Sequence, residues 1–438
     1  MVLKPAFGNW LSIDVLNSLD RYFLFAMEEP WQIIEPKLKN KPYSVNLNFN
    51  MNNDNLIKLA ESFNAVISES DTIVGLGGGT ACDTAKFIAW WFKANSNFDL
   101  DLILIPSIIS VDAFMCSSIA VRIDNKVKYI GESRPKRIII DYDLIQKAPK
   151  HLNRAGVSDT ISIASALGDW MLERDEINGK FSKRVFNRAR KIVTELMKAR
   201  TEIRDVTEKG IKSQVKGFYK EVKLCEEWGN ARPEEGSEHF LAYCLEAITH
   251  EHYIHGNLIA TNILISLFLQ ENYAEFSLDE IKHFFEAIQL TFMPKKQNIT
   301  EDQLKKALKE IQEYVKKENL MYSIYQSPKL HLNDEKISDI ISFLKSLETQ
   351  PSKILEGKNI KTEEELHDAL KNLLNFPDYY GKNLDALLDC LRDIKLPLEL
   401  EWKDYKASKK WLGKYSEETL KVFLDFQNES KDFKFRYN

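Results

Sequence analysis

The stretch TIVGLGGGTACDTAK, residues 72–86, joins an apolar run to a helical pattern through three consecutive glycines, Gly77, Gly78 and Gly79. The apolar half has the composition of a strand buried on both faces, and the half from Thr80 onward has helical spacing. A strand that enters a helix through glycine is one step of a βαβ unit. Two readings of the glycines stand side by side. One is a tight turn without a ligand. The other is a turn whose backbone approaches a pyrophosphate, with the helix N-terminus supplying free N–H groups and partial positive charge.

The same alternation extends to both sides. RYFLFAM (21–27), LDLILIPS (100–107) and RIIIDYDLI (137–145) are further apolar runs, and DNLIKLAESFNAV (54–66) has helical spacing. Residues 1–152 are therefore expected to form a doubly wound, Rossmann-like α/β domain. From residue 153 to 347 the pattern is helical throughout, and an all-helical second domain is expected. LETQPSK suggests a linker at 348–352. Beyond it, residues 353–438 restart as strand, helix, helix, strand, helix, strand, with KILEGKNI, LPLELEWKD and DFKFRYN as the strands.

Composition narrows the classes. With 60 basic and 65 acidic residues the net charge is −5, which gives no basic surface for nucleic acid. The five cysteines are scattered without a CxxC pair, which argues against a disulfide framework or a Cys-rich zinc site and suits a reducing compartment. The N-terminus has no secretory h-region, and NLIATNILISLFL is too short and too polar to cross a bilayer. The expectation is a cytoplasmic protein without a membrane partner.

Four of the eight histidines fall between residues 239 and 255. His239 and His255 could face inward from two helices, or from a bent one. Their spacing fits metal ligands or hydrogen-bonded core histidines. A carboxylate beside two imidazoles would make a three-ligand site with one open position, as catalytic metals need.

The GGGxxxD pattern of the glycine turn, with Asp83 and Lys86 in the matching places, resembles the iron-containing alcohol dehydrogenase superfamily. That superfamily includes glycerol dehydrogenases, sn-glycerol-1-phosphate dehydrogenases and 3-dehydroquinate synthase. AGVSD (155–159) resembles its segment carrying a metal-binding aspartate. RPEEGSEH (232–239) and IHGN (254–257) resemble its two histidine segments, most closely in glycerol-1-phosphate dehydrogenases. The resemblance covers residues 5–345 and implies Asp159, His239 and His255 as metal ligands, with zinc first and iron or nickel as alternatives. It implies NAD or NADP on Gly77, Gly78, Gly79, Asp83 and Lys86, with Ser107, Ser110 and Glu28 nearby. Asp112 stands on the substrate side, where a plain loop or cap role is equally open, and Arg232 is a candidate for a substrate phosphate or, equally, for a surface or interdomain ion pair. Four departures are visible: Ser158 for glycine, Asn257 for glutamate, VDAF without the Asp-Gly pair, and Glu234-Glu235 where small residues are usual. The implied reaction is metal- and NAD(P)-dependent oxidation of a polyol or polyol phosphate. Cyclase chemistry of the dehydroquinate-synthase type is the alternative. Self-association into a homo-oligomer is compatible with either.

FPDYYGKNLDALLDCLRD (376–393) places Asp385, Asp389 and Asp393 four residues apart, on one face of a helix. Acids at this spacing repel by a few tenths of a kcal/mol per pair. They form either a solvated face or a recognition face. Acids and bases number 17 and 16 over residues 351–438, so the negative charge is local to this helix. The whole segment resembles barstar, the inhibitor of the ribonuclease barnase. That resemblance implies a small α/β domain and a ribonuclease partner, met by Tyr379, Gly381, Asn383, Asp385, Asp389 and Asp425. Leu388 stands where barstar has tryptophan. Two further readings remain open: an immunity protein whose dehydrogenase part is a nucleotide-binding scaffold, or an enzyme whose C-terminal module only docks it.

Overall fold

The computed structural model describes residues 2–123, 126–348, 353–394, 396, 398–430 and 432–438. The chain divides into two compact units, Met1–Ser338 and Asp339–Asn438, and the division falls inside the helix Asp334–Glu348.

In the first unit, β1 (Ala6–Gly8), β2 (Tyr22–Ala26), β3 (Ser44–Asn46), β4 (Thr72–Gly77), β5 (Asp101–Pro106) and β8 (Arg137–Asp141) form one sheet. Its order is β1-β8-β5-β4-β2-β3, with every pairing parallel. The four apolar runs of the sequence are its four central strands. Alternate residues feed two cores: Phe25, Ile73, Leu104 and Ile140 on one face, and Leu24, Val74, Ile103 and Ile139 on the other. Each such side chain contributes about 1.5–3 kcal/mol of burial.

The edge strands β1 and β3 have three residues each, too few to carry a readable period. A separate antiparallel hairpin, β6 (Ser118–Ile123) with β7 (Lys126–Glu132), also lay outside the sequence reading.

Helices follow from Lys150 onward, and the expected boundary at residue 152 lies inside the helix Lys150–Ala155. The long helical stretch 237–270 is two helices, Ser237–Thr249 and His255–Gln270. His250 closes the first in the left-handed region, at φ 56°. Gly256 sits where a Cβ would come 1.9 Å from the Ala155 carbonyl oxygen. Only glycine lets the start of that helix pack so closely on the end of Lys150–Ala155.

The second unit contains β9 (Lys353–Glu356), β10 (Leu398–Lys403) and β11 (Phe433–Tyr437), parallel and in the order β11-β10-β9. Two helices, Glu363–Leu374 and Leu384–Arg392, precede β10, and two more, Tyr405–Leu412 and Lys414–Glu429, follow it. The sequence had suggested one helix after β10. The left-handed turn at Gly413, φ 54°, splits it. Leu355, Leu370, Leu391, Trp402 and Phe423 make a core of this unit's own. Residues 349–352 of the expected linker lie outside the described residues.

In this core His367 is 1% exposed and bonds both ring nitrogens, Nδ1 to the Tyr380 hydroxyl and Nε2 to the Tyr415 hydroxyl. Burial, then the charge of Lys382, lowers its pKa below the ordinary 6.5. A depressed folded pKa means the contribution is whole above the unfolded value and is lost as pH falls through the folded one. The resistance of the second unit to urea is therefore expected to fall as the pH drops below 6.5. His367→Asn should flatten that slope, and a slope unchanged in the variant would assign it elsewhere.

Candidate functional site

The glycine turn lies at the carboxyl end of β4, between β2 and β5, where open parallel sheets bind ligands. Gly77 has φ +154°, and a Cβ there would lie 2.5 Å from Met27 Cγ and 2.8 Å from Ala81 Cβ. The helix Gly79–Ser96 begins with Gly78 at its N-cap and no side chain capping it, which leaves its first N–H groups for a ligand. Glu28 is exposed and opens the helix that follows β2, beside the same turn. Ser107 is buried after β5, and its N–H donates to the Gly77 carbonyl. Ser110 is half-buried in the loop that follows. That loop covers the turn, because Cβ atoms at Gly78 and Gly79 would meet Ile108 and Val111.

Asp83 and Lys86 are placed differently from the other cofactor candidates. Lys86 is fully buried, pairs with Asp83 at 2.6 Å, and donates to the carbonyls of Ala113, Cys116 and Ser118. With its ammonium so engaged, Lys86 positions loop 113–118, and direct contact with a dinucleotide is closed to it.

Asp159, on the helix Val157–Ile161, meets His239 and His255 from the starts of their helices. One ligand atom from each lies within 4.8 Å of the others. His255 Nε2 stands 3.5 Å from Asp159 Oδ1, and Asp159 Oδ1 is buried without a hydrogen-bond partner. Such an orphaned carboxylate oxygen between two imidazoles fits a divalent cation. The His255 side chain is 34% exposed and Asp159 5%, so the cluster opens on the histidine side.

Glu238, which the sequence reading passed over, holds His239 in orientation. It contacts His239 Nδ1 at 3.0 Å and accepts from the Ser165 hydroxyl and the Gly236 N–H. A carboxylate behind a ligating histidine fixes its ring and tautomer. The adjacent acid in SEH was the available signal.

Electrostatics fit the same centre. Burial, then Asp112, raises Asp159 to about 8, against the opposing effects of His239 and the Asp112 N–H. Burial would lower His239, but the Glu238 contact and the charges of Glu235, Glu238 and Asp159 carry it to about 9. Burial, then the charge of His239, lowers His255 to about 3. Without a cation the cluster therefore holds protons that a cation would displace.

Asp112 is half-buried beside the cluster and accepts a hydrogen bond from the Cys116 thiol at 2.6 Å. Arg232 corrects the expectation of a phosphate ligand. It is 2% exposed, and its guanidinium donates to the carbonyls of Tyr322 and Glu235 and approaches Glu173 at 3.7 Å. It ties segment 232–235 to the helical frame.

On the second unit, Tyr379 is 80% exposed, and Gly381, Asn383, Asp385, Asp389 and Asp425 are all exposed. Asn383 caps the helix Leu384–Arg392 by accepting from the Ala386 N–H. That helix packs on Lys414–Glu429, which carries Asp425. Neighbouring acids are neutralised: Asp368 by Lys382, Asp378 by Lys371, Glu429 by Arg392. Asp385, Asp389 and Asp425 have no ion-pair partner among the described residues. Leu388 turns partly inward onto the domain core.

Known proteins share both halves. Residues 26–149 match the family model of iron-containing alcohol dehydrogenase, and residues 351–438 match that of barstar (barnase inhibitor). A glycerol-1-phosphate dehydrogenase [NAD(P)+] of Thermoplasma volcanium is 30% identical over 275 residues, covering 62% of this chain and 74% of the relative. "Putative ribonuclease inhibitor YrdF" of Bacillus subtilis (strain 168) is 48% identical over 80 residues, 18% of this chain and 88% of that protein. The crystal structure of glycerol dehydrogenase from Schizosaccharomyces pombe superposes with a TM-score of 0.55 at 20% identity, covering 75% of this chain and 83% of that one. Among the described residues no helix is long and apolar enough to cross a membrane.

Proposed function

The chain belongs to the glycerol-1-phosphate dehydrogenase family of iron-containing alcohol dehydrogenases and carries a barstar-family domain at its C-terminus; from this we propose that it is a metal- and NAD(P)-dependent oxidoreductase of a polyol or polyol phosphate, fused to a ribonuclease-binding module. The observation that carries the first half is the convergence of Asp159, His239 and His255 within 4.8 Å. Loop 107–116 reaches the glycine turn through Ile108 and Val111, and Ile109 and Ser110 lie against Gly156, three residues before Asp159. One loop thus links the cofactor turn to the ligand cluster.

In this reading Asp159, His239 and His255 hold a divalent cation, which supplies Lewis acidity toward the substrate oxygen. Glu238 orients His239. The Gly77–Gly79 backbone receives the pyrophosphate, and Asp112 orients a substrate hydroxyl near the reacting carbon. The buried walls exclude water from hydride transfer. NAD(P)H oxidation with dihydroxyacetone or its phosphate tests the assignment. Substrate turnover without net change in NAD(P)H would instead favour cyclase chemistry.

Gly77→Ala is expected to weaken NAD(P)H binding at least about tenfold and to cost about 1–3 kcal/mol of stability, because the strained backbone and the Met27 contact must both give. Calorimetric titration with NADH and thermal unfolding check this; unchanged values for both would place the nucleotide elsewhere.

The C-terminal half rests on the unpaired carboxylates of Asp385, Asp389 and Asp425 beside the exposed ring of Tyr379. Such a face suits the basic cleft of a ribonuclease, where carboxylates replace RNA phosphates.

A further inference from the structure

The loop that carries Asp112 is held from the cofactor side. Phe114 and Met115 are buried in a core of the first unit, and Phe114 meets the Phe218 ring edge-on at 5.8 Å. The turn 112–116 closes on itself, because the Asp112 carbonyl accepts from the N–H groups of Met115 at 2.6 Å and Cys116 at 3.3 Å. Lys86, from the helix Gly79–Ser96, donates to the carbonyls of Ala113 at 2.8 Å and Cys116 at 3.3 Å, while Asp83 holds its ammonium at 2.6 Å.

Side chains close the same turn. The Cys116 thiol donates to Asp112 Oδ2 at 2.6 Å, and among the described residues Oδ1 accepts no hydrogen bond. The Asp112 N–H supports the Asp159 carboxylate. A continuous series of contacts therefore runs from the helix after the glycine turn, through Lys86, Cys116 and Asp112, to a member of the ligand cluster. Burial, then the charge and hydrogen bond of Asp112, raise the thiol well above its ordinary range against the opposing charge of Lys86. The thiol keeps its proton at neutral pH and acts as the donor. A carboxylate on a loop samples several rotamers unless a partner selects one. Here the thiol selects one and leaves Oδ1 for a ligand.

We infer that Cys116 is a positioning residue of the reaction, whose thiol holds the Asp112 carboxylate in the rotamer that presents Oδ1 to a substrate hydroxyl. The inference rests on the dehydrogenase reading and deepens it. A carboxylate ordered before the substrate arrives spares the reaction the cost of ordering it afterwards.

The first measurement needs no turnover. Iodoacetamide labelling of Cys116 in the full-length protein is followed by peptide mass spectrometry, which resolves it from the other cysteines. Asp112→Asn removes the charge that helps to keep the thiol protonated. Labelling should quicken at least about threefold, because each unit of pKa lost gives about tenfold more thiolate of about threefold lower reactivity. Equal rates would place the thiol and the carboxylate apart and overturn the proposal.

The second measurement is NAD(P)H oxidation by the zinc-loaded, full-length protein with dihydroxyacetone and with its phosphate. Cys116→Ala should lower kcat/KM at least about tenfold for whichever compound is turned over, while Cys116→Ser, which keeps a donor, stays within about threefold of the unaltered protein. NADH affinity by calorimetry should be the same in all of them. In an Asp112→Ala background Cys116→Ala should cost nothing further, because its effect passes through that carboxylate. Full activity in Cys116→Ala, a loss shared by NADH affinity, or an undiminished loss in the Asp112→Ala background overturns the proposal. If the unaltered protein turns over neither compound, the dehydrogenase reading fails and the positioning role with it. Turnover that Cys116→Ala leaves intact overturns the role alone.

Discussion

Replacing His239 and His255 together by alanine should abolish metal binding at the first unit's centre. Loss of a single outer partner of a metal ligand typically costs about 10–100-fold in affinity, so removing two direct ligands should cost more than about 100-fold. Elemental analysis after dialysis reads this directly. Equal metal content in both proteins would remove the site. The fold should survive, because the histidines sit at the first turns of their helices, and Leu241, Leu245, Ile259 and Ile263 carry the packing. Metal uptake in the unaltered protein should also depend on pH in a fixed direction. His239, near 9, and Asp159, near 8, must both lose protons, so affinity rises with pH through that window and falls as acid refills the donors.

Asp389→Ala should weaken binding of the full chain to a barnase-type ribonuclease by at least about tenfold, or about 1.4 kcal/mol. In the barnase–barstar complex itself, close charge pairs couple by about 1.5–7 kcal/mol; that range belongs to that complex. The physical case here is that Asp389 lies exposed one turn from Asp385 and is free of any lysine or arginine among the described residues. An unpaired acid on a rigid helix adds charge at no cost of breaking an internal ion pair. Association should also slow with added salt, as electrostatic steering requires. Unchanged affinity would mean a different face or a different partner. Leu388 bears on the size of the effect. It leans onto the core, so the aromatic surface of this face comes from Tyr379.

The central strands were legible because burial on both faces leaves unbroken apolar runs, as in Phe23–Ala26 and Leu102–Ile105. β1 and β3 were not, because three residues at a sheet edge carry no period. The β6–β7 hairpin was hidden because β7, KVKYIGE, has no fully buried residue and so carries no apolar run to mark it. At the site, Asp159, His239 and His255 were legible as motif positions, yet their meeting depends on the break at His250 and on the absence of a Cβ at Gly256.

The acids were read least well. In KGFYKEVKLCEEW, Glu221 sits among lysines and glutamates and resembles a solvated face. Only the rotation of that helix turns it inward beside Thr160 and Asp159. Lys86 and Arg232 show the converse limit. The resemblance makes Lys86 a cofactor contact, and Arg232 stands as a phosphate candidate or an ion-pair partner, but burial and carbonyl partners commit both to the frame. Charge in a sequence says nothing of whether its partner is a ligand or the backbone.

The most direct test of the central claim is NAD(P)H oxidation by the full-length protein with dihydroxyacetone and with dihydroxyacetone phosphate, before and after chelation and after zinc is restored. Turnover that disappears with the chelator and returns with the metal is the predicted result. Turnover indifferent to the chelator, or none from a metal-loaded protein that binds NAD(P)H, would contradict the assignment of Asp159, His239 and His255 as the heart of a metal-dependent dehydrogenase.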